Sequence, residues 1–349
     1  MIKFLVEDGR FTYGLTGSLL GVELKDLRSE PVGFMDIVDV HPLDFEEFAL
    51  AAGVSPDIFM HLSDCFEKKV PVDPVVHERM MSVFRLYMVV GGMPAAVWKY
   101  ITTNNLQVVA DEHRAVLRLY KRDISQYDPD RKLYLDEIFA LIPSELNAKN
   151  KRFILKILNQ NAKYQRYENG FLWLKNAGVA IPVFNVEKPK SPLQLNQHRN
   201  LFKLFQNDVG LLVTQYSNGI QLKILAGDTT LNYGAIYESV VAQELLAHGF
   251  ENLCYFNSKT QGEVDFIIEN GDGSVLPVEL KSGKDYEFHN ALTNILSNDE
   301  YSIPSAVVLC NDNVHTKGKR LYLPVYMATF LRLKDDVPGI YKLDLGPLA

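Results

Sequence analysis

Two short apolar segments near the C-terminal end, residues 263–268 and 275–281, flank Glu269-Asn270-Gly271-Asp272-Gly273-Ser274. Gly, Asn and Asp accept the positive φ values of tight turns, so this junction specifies a β-hairpin. Side chains alternate along a strand. Glu279 and Lys281 therefore share one face, and Leu280 points into the opposite layer. Asp265, with thirteen residues between it and Glu279, lies on the paired strand and reaches the same face if the register is right. Val264, Phe266, Ile267, Ile268, Leu276, Val278 and Leu280 surround these charges. Ionised groups in otherwise buried strands need a compensating partner or a chemical role.

Two neighbouring carboxylates can share a hard divalent cation such as Mg2+, which prefers oxygen ligands. Such an ion polarises a phosphoryl oxygen and acidifies a bound water. A lysine beside it orients that water or offsets charge developing in the transition state. A third carboxylate on a preceding helix would complete the set, and Glu238, in the stretch 234–245, occupies that position. The expected catalytic set is Glu238, Asp265, Glu279 and Lys281, with Asp265, Glu279 and Glu238 as metal ligands. A hairpin with these residues also serves in many proteins as a solvated strand face with a cross-strand ion pair. Here the order of helix with Glu, strand with Asp, strand with Glu-x-Lys, helix and strand is that of a restriction-endonuclease-like core.

At 349 residues, 47% hydrophobic and 23% charged, the chain is expected to form two or three globular domains. No apolar run reaches the ~18–20 residues of a membrane span. The N-terminus lacks the basic and apolar regions of a secretory signal. Cys65, Cys254 and Cys310 are widely separated, without metal or disulfide spacing. These features lead to the expectation of a cytoplasmic protein. The net charge is −7, yet residues 145–203 hold eleven Lys/Arg against three Asp/Glu, a local +8. That segment is a candidate contact for DNA or RNA, or a domain surface balanced by acidic neighbours.

Along the chain, residues 11–18 read as a strand. Asp44, with Glu47 three residues on, reads as a helix N-cap. Residues 73–139 read as helices interrupted at Gly91-Gly92-Met93-Pro94. Residues 153–158 and 167–178 read as two more helices and 179–184 as a strand, the order of a winged helix, with 187–192 as linker or wing. Residues 201–213 and 222–226 read as strands, 233–248 as an amphipathic helix, 286–296 as a helix and 306–310 as a strand. None of the histidines has metal-ligand spacing, so packing or surface roles are expected for His41, His248 and His289.

Several stretches together carry a resemblance: Gly14-Leu15-Thr16-Gly17-Ser18, residues 41–48, Gly91-Gly92-Met93-Pro94-Ala95, Tyr120-Lys121-Arg122-Asp123-Ile124, residues 203–212, residues 237–245, Glu263-Val264-Asp265-Phe266, and residues 278–283. Over nearly its whole length the chain is similar to prokaryotic AAA-type ATPases that carry an uncharacterised C-terminal domain related to PD-(D/E)xK nucleases. The resemblance implies an α/β multidomain chain. Residues 1–50 would be the C-terminal remnant of a truncated AAA-type core, and 51–144 a helical lid-like domain. Residues 145–192 would be a winged-helix-like segment, and 193–349 a PD-(D/E)xK nuclease-like, restriction-endonuclease-like α/β domain. The family's GxxxxGK[ST] phosphate loop is missing from this sequence, and Gly33-Phe34 stands where the family commonly has Gly-Arg. ATP binding and hydrolysis by this chain alone are therefore not expected. A protein partner carrying the missing ATPase part is. Alternatives to a metal-dependent nuclease are a non-catalytic DNA- or protein-binding module, or a regulatory ATPase relative whose ATP site is lost or supplied in trans. Asp208 reads as a turn or cap residue.

Overall fold

Capping and glycine geometry, as much as hydrophobic period, set the helices of the first half. The computed structural model describes residues 2–14, 16–17, 36, 38–127, 132–148, 151–153, 170–171, 173–228, 233–283 and 286–333. Helix α1 (Ile2–Asp8) is followed by residues 11–14, 16 and 17 in no regular element. The strand expected over 11–18 is thus not formed by its described residues. All eight strands of the sheet lie at or beyond Ala180, and a lone segment has no neighbour for its backbone groups. Ser18 and Gly33-Phe34 lie outside the described residues.

Asp44 caps α2 (Phe45–Ala51) in the reciprocal manner expected. Its Oδ1 accepts the Glu47 N–H at 2.8 Å, and Glu47 Oε2 accepts the Asp44 N–H at 3.1 Å. Then come α3 (Pro56–Lys68), α4 (Pro74–Val90), α5 (Pro94–Thr103), α6 (Leu106–Tyr127) and α7 (Lys132–Asn147). The break at Gly91-Gly92 has two causes. Gly91 takes φ +71, and a Cβ on Gly92 would lie 2.0 Å from the Leu43 carbonyl oxygen. No single helix among the described residues is long and apolar enough to cross a membrane.

Residues 170–171 and 173–176 are helical, and 154–169 lie outside the described residues. Next are β1 (Ala180–Val186), a short 3-10 turn (Leu193–Asn196), β2 (Gln197–Gln206), α8 (Val209–Thr214) and α9 (Asn218–Ala226). The strands expected at 201–213 and 222–226 are corrected here. β2 stops at Gln206 because Asp208 starts a helix, its Oδ1 accepting the Leu211 N–H at 3.0 Å. Residues 222–226 finish α9, which ends at Gly227 with φ +66. Short apolar runs do not distinguish strand from buried helix. The cap reading of Asp208 agrees with this geometry, and its other oxygen accepts the Gly92 N–H at 2.6 Å.

The remaining elements are α10 (Gly234–Ala247), β3 (Cys254–Ser258), β4 (Gly262–Glu269), β5 (Val275–Leu280), α11 (Asn290–Leu296), β6 (Ala306–Cys310), β7 (His315–Lys317), β8 (Arg320–Pro324) and a 3-10 stretch (Val325–Phe330). One mixed sheet has the order β2-β1-β3-β4-β5-β6-β8-β7. The expected hairpin forms between β4 and β5, with Asn270 and Ser274 bonded across the turn and Gly273 at φ +79. β5 to β6 is a parallel step through α11. The helix expected from 286 begins at Asn290. β1 pairs with both β2 and β3, so a boundary at 192/193 runs between two bonded strands of this sheet. Residues 187–192 connect those strands.

The helix α10 is not amphipathic as expected: every residue from Ala235 to Leu245 is buried. The larger core cluster wraps it with α2, α4 and α8 and with Phe266, Val278 and Leu280 of the sheet. A smaller cluster joins α11 to Val264, Ile267, Val275, Val308 and Tyr322 on the other side. A polar node lies within the larger packing. Glu244 Oε1 accepts the Phe45 N–H at 2.9 Å and the Tyr87 hydroxyl at 3.1 Å. His248 bonds Asp44 Oδ2 through Nε2 and the Leu331 carbonyl through Nδ1, each at 3.1 Å. Arg332 reaches Glu46 at 2.9 Å. The node ties the start of α2 to α10 and to the segment after β8.

Burial, and then the charge of Asp44, push the Glu244 carboxyl up to about 8. A raised acid binds its proton more tightly in the folded state. Its stabilising contribution is complete below an ordinary glutamate pKa and is lost as pH rises through about 8. Within that window stability falls by as much as about 1.4 kcal/mol per pH unit. Glu244→Gln keeps the shape without the proton, so the variant gains on the wild type between pH 5 and 8. Urea denaturation across that range measures this, and parallel pH profiles for the two proteins would contradict it.

Candidate active site

Backbone register brings the hairpin acids together. Phe266 pairs with Val278, so one step further along the antiparallel ladder Asp265 stands opposite Glu279. Asp265 Oδ2 accepts the Leu280 N–H at 2.8 Å, which pins the carboxylate to the neighbouring strand. Glu279 is buried. Its Oε1 accepts from Lys281 Nζ at 2.8 Å, and its Oε2 has no hydrogen-bond partner. Lys281 follows β5 directly, its backbone N–H bonded to the Leu309 carbonyl and its side chain 30% exposed. The Glu279–Lys281 pairing matches the shared face read from alternation, and Leu280 between them packs in the larger core cluster.

Glu238 comes from the middle of α10 and is buried. Its surroundings differ from those expected. Oε1 is held by Lys151 Nζ, and Oε2 by Lys203 Nζ at 3.0 Å. Lys203 lies in β2, opposite Val183 of β1, with 0% of its side chain exposed. Its ammonium also contacts Glu263 Oε1 at 2.8 Å and lies 3.9 Å from Asp265 Oδ1. The Tyr255 ring sits beneath it, 5.0 Å from centroid to Nζ. Glu263 is steadied in turn by the Asn257 amide.

The electrostatics divide the acids into two kinds. Burial works to raise Glu238, but the Lys203 and Lys151 ammonium charges outweigh it and hold the carboxyl below its ordinary value. Burial works against charge on Lys203, and Glu238, Asp265 and Glu263 reverse this, keeping it protonated far above the usual lysine range. Asp265 is pushed well up by burial and by the charges of Glu238 and Glu279. Glu279 is also raised, chiefly by burial, against the opposing Lys281 charge. Asp265 and Glu279 are thus both raised, while Glu238, held by two lysines, is lowered.

This bears on Mg2+. Asp265 and Glu279 suit a hard cation: Asp265 meets an ammonium only at 3.9 Å, Glu279 has an orphaned buried oxygen, and both are destabilised by like charge. Glu238 does not suit the ligand role expected of it, because lysines occupy both of its oxygens. Among the described residues no three His, Cys, Asp or Glu side chains are grouped so as to hold a metal. Of the three carboxylates expected as ligands, Glu238 has both oxygens held by lysines, and Asp265 and Glu279 stand opposite each other on the hairpin.

Lys151, Lys203 and Glu263 were not among the expected site residues. Lys203 carried a signal, as a lone charge in the apolar run Leu201-Phe202-Lys203-Leu204-Phe205. It was instead counted in the basic stretch. Of that stretch, Lys151 and Lys203 turn inward to the acids and Lys188 pairs with Glu300 at 2.5 Å, while Lys175, Lys190 and Arg199 are exposed. His289 is buried against Tyr322 with neither ring nitrogen bonded. Burial and the Lys281 charge push it down to about 4.

Removing one member of a buried ion cluster leaves uncompensated charge and costs about 3–5 kcal/mol; Lys203 serves three carboxylates with 0% of its side chain exposed, whereas Lys281 serves Glu279 alone and is 30% exposed. Lys203→Met should therefore destabilise the fold far more than Lys281→Met. Urea melts at pH 7 without divalent ions make the comparison, and equal losses would show that Lys203 does not carry the cluster.

Comparison with known proteins places two stretches. Residues 81–221 match a domain of unknown function, DUF8612, and residues 233–327 match a second, DUF4143. The latter is a domain found in AAA-ATPase-associated proteins. No curated protein and no solved structure matches the chain. The chain is similar over its C-terminal part to a domain that accompanies AAA-type ATPases, and its described residues form a mixed α/β structure around a single large sheet.

Proposed function

We propose that the chain is a metal-dependent phosphodiester hydrolase acting on nucleic acid, with Asp265 and Glu279 as ligands of one Mg2+ and Lys281 as the group beside it. The observation that carries this reading is the buried, unpartnered Oε2 of Glu279, opposite an Asp265 whose proton affinity is raised by the same crowding. When bound, the ion would supply a polarised phosphoryl oxygen and a water more easily deprotonated. The protein's own contributions are positional. The Leu280 N–H holds Asp265 at one oxygen, and the other lies 3.9 Å from Lys203 Nζ. Lys281 is partly exposed, so its ammonium can donate to a phosphoryl oxygen or an attacking water. The element order α10, β3, β4, β5, α11, β6 supports the restriction-endonuclease-like reading of this half.

Nucleic acid would meet Lys175, Lys190 and Arg199, which are exposed among the described residues of the basic stretch. ATP turnover belongs in this reading to a separate ATPase partner, because the sequence contains no phosphate loop. Glu238, Lys151, Lys203 and Glu263 form the buried support of the site.

The test is cleavage of single-stranded and duplex DNA and RNA in Mg2+ or Mn2+ by the full chain, with Asp265→Ala and Lys281→Ala beside it. Each variant should lose at least about a hundredfold in rate. The same trace of cleavage in all three proteins defeats the proposal and leaves a non-catalytic binding module as the alternative.

A further inference from the structure

The Lys203 ammonium has a different relation to the acids from that of Lys281. It sits among three carboxylates from two elements, Glu238 of α10 and Glu263 and Asp265 of β4, with none of its side chain exposed. Its contacts of 2.8 and 3.0 Å are charge-assisted hydrogen bonds. It lies 3.9 Å from Asp265 Oδ1, and a centre with two metal ions sharing one carboxylate would place its second cation beside that carboxylate. We propose that Lys203 is a built-in replacement for that ion, so that the site takes up a single divalent cation per chain. This rests on the reading of Asp265 and Glu279 as ligands of the first.

Three observations carry it. First, the donors around Lys203 are those of a cation site: Glu238 and Glu263 each give an oxygen to Nζ, and Asp265 offers a third at longer range. Second, the lysine is not free to leave. Its strand is paired to β1, its ammonium lies over the Tyr255 ring, and Lys151 already holds the other oxygen of Glu238. An incoming ion would have to drive a buried ammonium into apolar surroundings. Third, formal charge admits one ion. Glu238, Glu263, Asp265 and Glu279 against Lys151, Lys203 and Lys281 leave −1. One divalent cation brings this to +1, which a phosphodiester's single negative charge neutralises. A second ion would leave a large surplus of positive charge in a buried site.

Lys203 acts here as a positioning residue, and a merely structural lysine would not set the ion count. The experiment is a calorimetric count of Mn2+ bound per full-length chain at pH 7 for wild type, Lys203→Met and Glu238→Gln. Wild type should bind one ion. Lys203→Met should bind one more than wild type, with Mn2+ raising its melting temperature more than it raises that of wild type. Glu238→Gln should keep the wild-type ion within about threefold in affinity, because Glu238 is not its ligand. An unchanged count in Lys203→Met, or two ions on wild type, overturns the inference. If wild type binds none and Lys203→Met binds one, the hydrolase reading falls while the role of Lys203 stands. Should Lys203→Met fail to fold with or without Mn2+, Glu238→Gln decides: loss of the wild-type ion makes Glu238 a ligand and overturns the inference, and retention supports it.

Discussion

A single ammonium group buried among three carboxylates organises the centre of this protein. Lys203 reaches from β2 to α10 and β4, so one side chain binds together the far edge of the sheet, its middle and the helix that packs on it. Such an arrangement is costly to form from water and more costly to leave half-made. It also settles how the acids share their roles. Glu238 is matched by two lysines, whereas Asp265 has Lys203 only at 3.9 Å and Glu279 pairs with Lys281 through one oxygen. Which acids are matched by buried lysines follows from where one lysine is placed.

The hairpin and the pairing of Glu279 with Lys281 were legible in the sequence because the rules involved are local. Turn residues at 270–273 fix the connection, and the period of two puts Glu279 beside Lys281. The cap at Asp44 and the break at Gly91-Gly92 were legible for the same reason. What was not legible depends on partners distant in sequence. Residues 222–226, apolar apart from Lys223, fit either conformation, and the αL stop at Gly227 with packing against neighbouring helices makes them helical. The α10 stretch looked amphipathic from its polar residues. Those residues are buried all the same, because Glu238, Gln243 and Glu244 find partners on Lys151, Lys203, Val209, Phe45 and Tyr87. The lysines on Glu238 were not legible, because Lys203 lies thirty-five positions away in the chain. A count of basic residues along the chain could not tell lysines that face solvent from lysines that face acids.

A second polar cluster, around Glu244 and His248, has a different purpose from the first. It touches no part of the candidate site, and its members come from the start of α2, from α4, from α10 and from the chain just after β8. Apolar packing around it is dense, with Phe45, Phe84 and Tyr87 in mutual ring contact and Phe84 edge-on to Tyr237. Hydrophobic burial alone fixes approximate positions, whereas directed hydrogen bonds to named backbone atoms fix register. The node specifies how the helical half sits on the sheet.

The all-round burial of α10 bears on how the polypeptide divides. The two stretches that resemble separate families meet just before this helix, which suggests a natural seam. Yet one side of the rod is clothed by Phe84, Tyr87 and Val209 from the first stretch, and the other by the strands of the second. Sequence modules and folding units therefore do not coincide. If evolution joined two pieces here, it has since welded them, and neither piece now owns a complete interior.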